Sequence, residues 1–327
     1  MLEIEKSNLP LKQAEVFHRP TPYDLIAISA TFDDRAIKPP PKTYFPAVNV
    51  EQQLYSVTKD LKEVFGEHLL FVGLTGSRAV YPHKIGADLD VIAIVDDNAI
   101  GDRVTFEGDL KIVSSTGLRE FIESGYQLIT TQFRKAKPLF EQPGVLNQFQ
   151  SLKPIAEKAI PFLITKSKFN EQTADIFKLT SAKYRAVFLH QHGYPDEAFA
   201  QLSGIENDEL FALLNQVSDT DPSVYGRLAV FYSNLGLNRM FHSLSEMTQA
   251  LHVKETGDVA DVEELVAWGL RRTEGPGALL KLLYEKRIAC YKKGDLLLDK
   301  QYDMMRQGIR ECNKMLEGIV LDSRLCN

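Results

Sequence analysis

The chain reads as an α+β protein in which a mixed β-sheet with flanking helices is followed by an all-α helical domain. Two patterns lead to that reading. Short β-branched and apolar runs of strand length are confined to the first half, whereas after Pro154 apolar residues recur only at helical spacing. Length sets the scale, because 327 residues suffice for about two domains at roughly 150 residues each. The expected boundaries are an irregular Pro-rich arm over 1–47, a sheet domain over 48–155 and a helical domain over 156–327.

The arm holds Pro10, Pro20, Pro22, Pro39, Pro40, Pro41 and Pro46, and its KPPPK stretch favours extended polyproline II and denies helix. From 49 to 65 the residues Val50, Leu54, Val57, Leu61, Val64 and Phe65 recur at helical spacing. Strands are expected over 69–74, 88–95, 104–113 with a break at Gly108, and 127–131. A helix over 116–123 precedes the last of these, and a strand over 137–140 closes the sheet. In the second half, helices are expected over 174–190, 206–217, 222–250, 259–272, 276–293 and 295–319. The breaks between them fall at Gly193-Tyr194-Pro195, at 219–222, at Gly257 and at Gly275-Pro276-Gly277. Leu279, Leu280, Leu282 and Leu283 read as bundle core.

The chemistry concentrates in residues 71–96, FVGLTGSRAVYPHKIGADLDVIAIVD. Thr75-Gly76-Ser77 ends an apolar strand and can turn sharply, offering backbone N–H groups to phosphate. Ten residues beyond Ser77, Asp88 and Asp90 alternate with Leu89 and Val91. The period of two then turns both carboxylates to one face and the two apolar side chains to the other. Two like charges so placed repel, and a hard, oxygen-seeking ion such as Mg²⁺ removes the repulsion by binding between them and phosphate oxygens. Asp109, beside the Gly108 break, supplies a third carboxylate if its strand lies alongside.

This stretch resembles the signature of the nucleotidyltransferase fold, the DNA polymerase β superfamily: Gly-Ser, ten residues, Asp-x-Asp, then a strand-borne Asp. Lys84-Ile85-Gly86-Ala87-Asp88-Leu89-Asp90 is similar to the version in poly(A) polymerases. Ala136-Lys137-Pro138-Leu139-Phe140 with Pro143-Gly144-Val145-Leu146 resembles the last strand and following helix of small bacterial members. The resemblance spans about residues 48–155 and specifies a superfamily rather than a substrate. It implies a nucleotidyltransferase-type sheet and a catalytic and metal-binding set of Asp88, Asp90 and Asp109. Two Mg²⁺ ions, with Mn²⁺ as a substitute, and a nucleoside triphosphate gripped at Gly76 and Ser77 complete that expectation. Many small members carry Arg-Gly just after the Gly-Ser. Val80-Tyr81 stand there instead, a departure that bears on triphosphate binding. Arg78 is either the replacement cationic contact or a solvent-facing residue on a first helical turn. His83, in the loop before Asp88, either touches nucleotide or caps the loop.

Other readings lack their anchors: the chain has no P-loop, no Gly-x-Gly-x-x-Gly, no Gly-x-Ser-x-Gly and no His-Glu-x-x-His. His190 and His192 flank an expected helix end, where they meet the dipole. Cys290, Cys312 and Cys326 are too scattered for a metal knuckle, and three thiols suit a reducing compartment. No run of about 18 apolar residues and no signal-peptide core occurs, so a cytoplasmic protein without a membrane is expected.

A net charge of -6 gives no global pull toward nucleic acid. RNA binding would need a local basic patch, for which Lys166 with Lys168, or Lys178, Lys183 and Arg185, are candidates. Lys183 and Arg185 are the expected phosphate contacts of the helical half, with a solvated helix face as the alternative. Three functions remain open. They are transfer of an NMP, expected to be AMP, from an NTP to a hydroxyl on a small molecule or protein; the same transfer to an RNA end; and a catalytically silent nucleotide-sensing or interaction module of the same fold.

Overall fold

The computed structural model describes residues 16–17, 50–76, 79, 89–99, 109–191, 222–293 and 299–322. Among them, the residues up to Ala159 together with Gly257–Asp261 form one compact unit, and Ile160–Thr256 with the residues from Val262 onward form a second.

The first unit is built on a mixed sheet. Its strands are β1 (Val16–Phe17), β2 (Leu69–Thr75), β3 (Asp90–Val95), β4 (Asp109–Ser114) and β5 (Lys137–Glu141). Their spatial order is β1-β4-β3-β2-β5. β2 pairs antiparallel with β3 and with β5, while β3 with β4 and β4 with β1 run parallel. Helix α1 (Val50–Phe65) leads into β2 through a short 3₁₀ turn, and α2 (Ser115–Glu123), α3 (Gln127–Arg134) and α4 (Val145–Gln150) surround β5 in sequence.

The alternation expected of a half-buried strand sorts the two faces. Val91, Ala93 and Val95 of β3, Leu110 and Ile112 of β4 and Val72 and Leu74 of β2 pack with Val57, Leu61 and Phe65 of α1. Leu89 and Ala79 join the same core. Residues of opposite parity meet the other helices. Phe71 of β2 meets Phe133 of α3 edge-on at 5.4 Å, and Phe133 meets Phe149 of α4 at 6.0 Å. Helix α2 is capped by Ser114, whose hydroxyl accepts from the Gly117 N–H at 3.1 Å.

One expected strand is a helix. Residues 127–131, QLITT, are β-branched and read as strand, yet they open α3. Gly125, at φ +69°, turns the chain straight out of α2, and the new helix buries Gln127, Ile129, Thr130 and Phe133. The Thr131 hydroxyl donates back to the Gln127 carbonyl at 2.8 Å. Burial of a helical stripe has overridden local β preference. β3 starts at Asp90 rather than at 88, Leu89 standing outside the strand, and the part of the expected strand over 104–108 lies outside the described residues. Val16–Phe17, in the stretch expected to be irregular, pair with Ile112 and Val113 of β4.

The second unit is helical: α5 (Ala156–Gln191, its first turns in the first unit), α6 (Pro222–Thr256), α7 (Val262–Arg272), α8 (Glu274–Lys293) and α9 (Asp299–Leu321). The expected helix over 174–190 is the second half of a much longer one, which accommodates Pro161. The expected helix over 206–217 lies outside the described residues. Gly275-Pro276-Gly277 does not separate helices but forms the first turn of α8. A Cβ on Gly277 would come within 2.7 Å of the Leu270 nitrogen, so glycine there lets α8 approach the backbone of α7.

The interior of this unit is unusually polar. Lys166 of α5 and Glu246 of α6 form an ion pair in which each side chain is 2 % exposed. Beside it, Ser167 donates to the Ser243 carbonyl at 2.8 Å, Arg239 donates to Asn170 Oδ1 at 3.0 Å and Asn313 of α9 donates to the Ser243 hydroxyl at 2.9 Å.

Candidate functional site

Asp90 and Asp109 are register partners, the first residues of the parallel strands β3 and β4. Sharing register and parity, their side chains leave the sheet on one face about 4.8 Å apart, the spacing of neighbouring strands. Thr75, the last residue of β2, is the partner of Asp90 on its other side. Its buried hydroxyl donates to the Asp90 carbonyl at 3.3 Å. Three strand ends therefore meet at one place, each supplying an oxygen-bearing side chain.

Gly76 follows at once, at φ +69°, in the left-handed region that favours glycine. A Cβ built on it would lie 2.9 Å from Asp90 Cγ and would collide with Oδ2. The bend after β2 is thus seated directly against the Asp90 carboxylate, and only the missing side chain makes room for it. A glycine expected for phosphate approach has the Asp90 carboxylate as what its missing side chain would meet.

One residue of this cluster was not singled out from the sequence. Lys111, two positions past Asp109 and so on the same face, is 4 % exposed, and its Nζ donates to Asp109 Oδ2 at 3.0 Å. The signal was present in DLKIVS: a lysine in phase with an acid inside a buried strand has to meet a counter-charge. The carboxylate itself stays part-exposed, with 20 % of the Asp109 side chain open.

Of the other expected site residues, Asp88, Ser77, Arg78, His83 and the Val80-Tyr81 pair lie outside the described residues. Lys183 and Arg185 belong to α5 in the helical unit. Between them Tyr184 stacks with Tyr232 at 5.4 Å and Tyr225 at 6.2 Å. The basic patch looks different in the structure than in the sequence. Lys166 is buried against Glu246, Lys168 is 2.7 Å from Glu317 and Lys178 pairs with Asp303. These three lysines are matched by acids. His190 lies in the last turn of α5, and His192 lies outside the described residues. Cys290 is buried and Cys312 half-buried, and neither is in a disulfide.

The donor set tests whether a divalent ion fits. Hard ions take carboxylate oxygens, and the two part-exposed carboxylates Asp90 and Asp109 on adjacent strands supply that type of ligand. Among the described residues no group of three His, Cys, Asp or Glu side chains is gathered for a metal; two of the three expected ligands are within that region and they are neighbours. Two like charges about 5 Å apart repel by roughly 3 kcal/mol at an effective dielectric near 20; the Lys111 ammonium on Asp109 offsets part of that, and a cation there would capture the remainder.

At the opposite end of the strands the acids are occupied structurally. Asp96 sits 2.7 Å from His68 Nδ1 and accepts from the Asn98 N–H at 2.8 Å. The hydrogen bond that the His68 ring donates to Asp96 raises the His68 pKa. Burial pushes Asp97 up, but hydrogen bonds from the Thr116 hydroxyl and N–H and from Ser114 and Ser115 outweigh it and hold the carboxyl below its ordinary range.

No family model matches the chain, and no curated protein matches it. Among the described residues no helix is long and apolar enough to cross a membrane.

Proposed function

We propose that the chain is a Mg²⁺-dependent nucleotidyltransferase that moves an NMP, AMP by preference, from a nucleoside triphosphate to a hydroxyl on a small molecule or protein, releasing pyrophosphate. The observation that carries this reading is the meeting of Asp90, Asp109 and the Gly76 bend at one sheet end. Asp90 and Asp109 provide oxygens on one face, and Asp88, two residues earlier in the sequence, is the proposed third ligand. Bound there, Mg²⁺, with Mn²⁺ as a substitute, would neutralise phosphate oxygens and acidify the acceptor hydroxyl. Gly76 and Ser77 offer backbone N–H groups, and Ser77 its hydroxyl, to the β- or γ-phosphate, with Arg78 as the nearby cation. Asp109 accepts the hydroxyl proton through the oxygen that Lys111 leaves open. Lys183 and Arg185 are the proposed phosphate contacts of the helical unit.

The acid-matched Lys166, Lys168 and Lys178 weigh against a long basic groove and so against an RNA end as acceptor. The test is Asp90→Asn. It should abolish Mg²⁺-dependent pyrophosphate release from NTPs with the far-UV circular dichroism unchanged; retained release overturns the assignment. Mass spectrometry of a lysate incubated with the protein and labelled NTPs then reports base, number added and acceptor class together.

A further inference from the structure

We infer that Lys111 is a tethered placeholder cation that holds the metal-free acid cluster together and competes with a divalent ion for Asp109. The inference rests on the metal-binding reading of that cluster.

Its grounds are geometric. On the face of β3 and β4 that carries the cluster stand Asp90, Ile92, Ile94, Asp109, Lys111 and Val113. Apart from the two acids, Lys111 is the one polar residue among them, and it sits among apolar neighbours at 4 % exposure. A lysine is seldom so deeply covered without a compensating charge, and the charge it meets is Asp109 Oδ2 at 3.0 Å. Asp109 is in turn the strand neighbour of Asp90. The ammonium therefore neutralises one of two carboxylates carried by neighbouring strands, and it does so from the same strand as Asp109, at fixed register. It cannot diffuse away. A divalent ion arriving at Asp109 has to share that carboxylate with Lys111 or take Oδ2 from it, so the lysine lowers the net gain from metal binding while keeping the metal-free fold intact. Lys111 is on this account a positioning residue, acting through Asp109 rather than on a substrate.

The experiment compares thermal unfolding of the full chain in chelator and in Mn²⁺ for the wild type, Lys111→Met, Lys111→Arg and Asp109→Asn/Lys111→Met. Lys111→Met should melt lower than wild type in chelator, and its rise in Tm on adding Mn²⁺ should exceed the wild-type rise by about 3 °C or more. Lys111→Arg should behave as wild type. In the double variant the chelator deficit should shrink, because removal of the Asp109 charge removes the need for the cation. A Lys111→Met chain that folds only when Mn²⁺ is present supports the proposal still more directly. An equal Tm deficit with and without Mn²⁺, unrelieved by Asp109→Asn, overturns it and leaves Lys111 as packing. Absence of any Mn²⁺ response in both wild type and Lys111→Met instead overturns the metal-binding reading beneath it, so the two failures are distinguishable.

Discussion

Lys166–Glu246 in the helical unit and Asp90–Asp109 in the sheet unit are two different ways to place charge in a folded protein. The first joins opposite charges, each 2 % exposed, between two long helices, with Ser167, Asn170, Arg239 and Ser243 hydrogen-bonded around them. The second sets like charges in register at the end of a sheet and leaves Asp109 part-exposed. A closed opposite-charge pair has its partner inside the fold. An open like-charge pair is a cost to stability that the fold tolerates, and such costs mark places kept for binding or chemistry. Lys111 lies between these extremes: buried as deeply as a structural charge, yet attached to the acids of the open cluster.

The largest effect is expected at the closed pair. Lys166→Met should strand the Glu246 charge and cost about 3–5 kcal/mol in chemical denaturation. Lys166→Met/Glu246→Leu should recover most of that loss, and equal losses in single and double variants would remove the pair from its structural role. The open pair should respond in the opposite sense. Asp90→Asn and Asp109→Asn should each lower nucleotidyl transfer by about 10³-fold, equivalent to roughly 4 kcal/mol at 1.36 kcal/mol per decade; Asp90→Asn should change unfolding free energy by less than about 1 kcal/mol, whereas Asp109→Asn, which takes the counter-charge from the buried Lys111, should cost more than that.

Gly76→Ala tests the seat between bend and acid. Left-handed backbone costs a non-glycine residue about 1–2 kcal/mol, and the new methyl must displace the Asp90 carboxylate. Stability should fall by that amount and transfer should fall with it; a fully active, fully stable Gly76→Ala would separate the bend from the site. Ser114→Ala removes the cap of α2 and should cost about 1 kcal/mol with transfer unchanged, because the cap is at the far end of β4 from Asp109.

The smallest effects are in pH dependence at that far end. Asp97, held low by Thr116, contributes stability above its ordinary value of 3.8 that is lost as pH falls through its still lower folded value. His68, raised by Asp96, contributes in the reverse direction: its contribution is full below 6.5 and fades as pH rises through the folded value above it. Asp97→Asn should flatten the acid limb of a Tm–pH curve and His68→Gln the limb above 6.5, each slightly.

Much of the sheet unit was legible because burial on two faces forces a period of two. Leu89, Val91 and Ala93 turned to the α1 core and Asp90 to the other face, as alternation requires. The run 127–131 was misread because its β-branched residues carry a strand preference, whereas the burial of Ile129 and Phe133 against the sheet is a long-range fact. The helical half was legible in kind but not in extent, since α5 continues past Pro161 where the apolar spacing alone gave no start.

The residue pattern by itself determined which side chains share a face of each strand and where glycine must bend the chain, because both follow from local backbone geometry. Only the tertiary structure decided that β4 lies parallel to β3 with Asp109 opposite Asp90, that Gly76 closes on that carboxylate, and that Lys111 is buried against Asp109. Register between strands that are not joined by a tight turn depends on the packing of everything between them, and no short stretch of sequence carries that information.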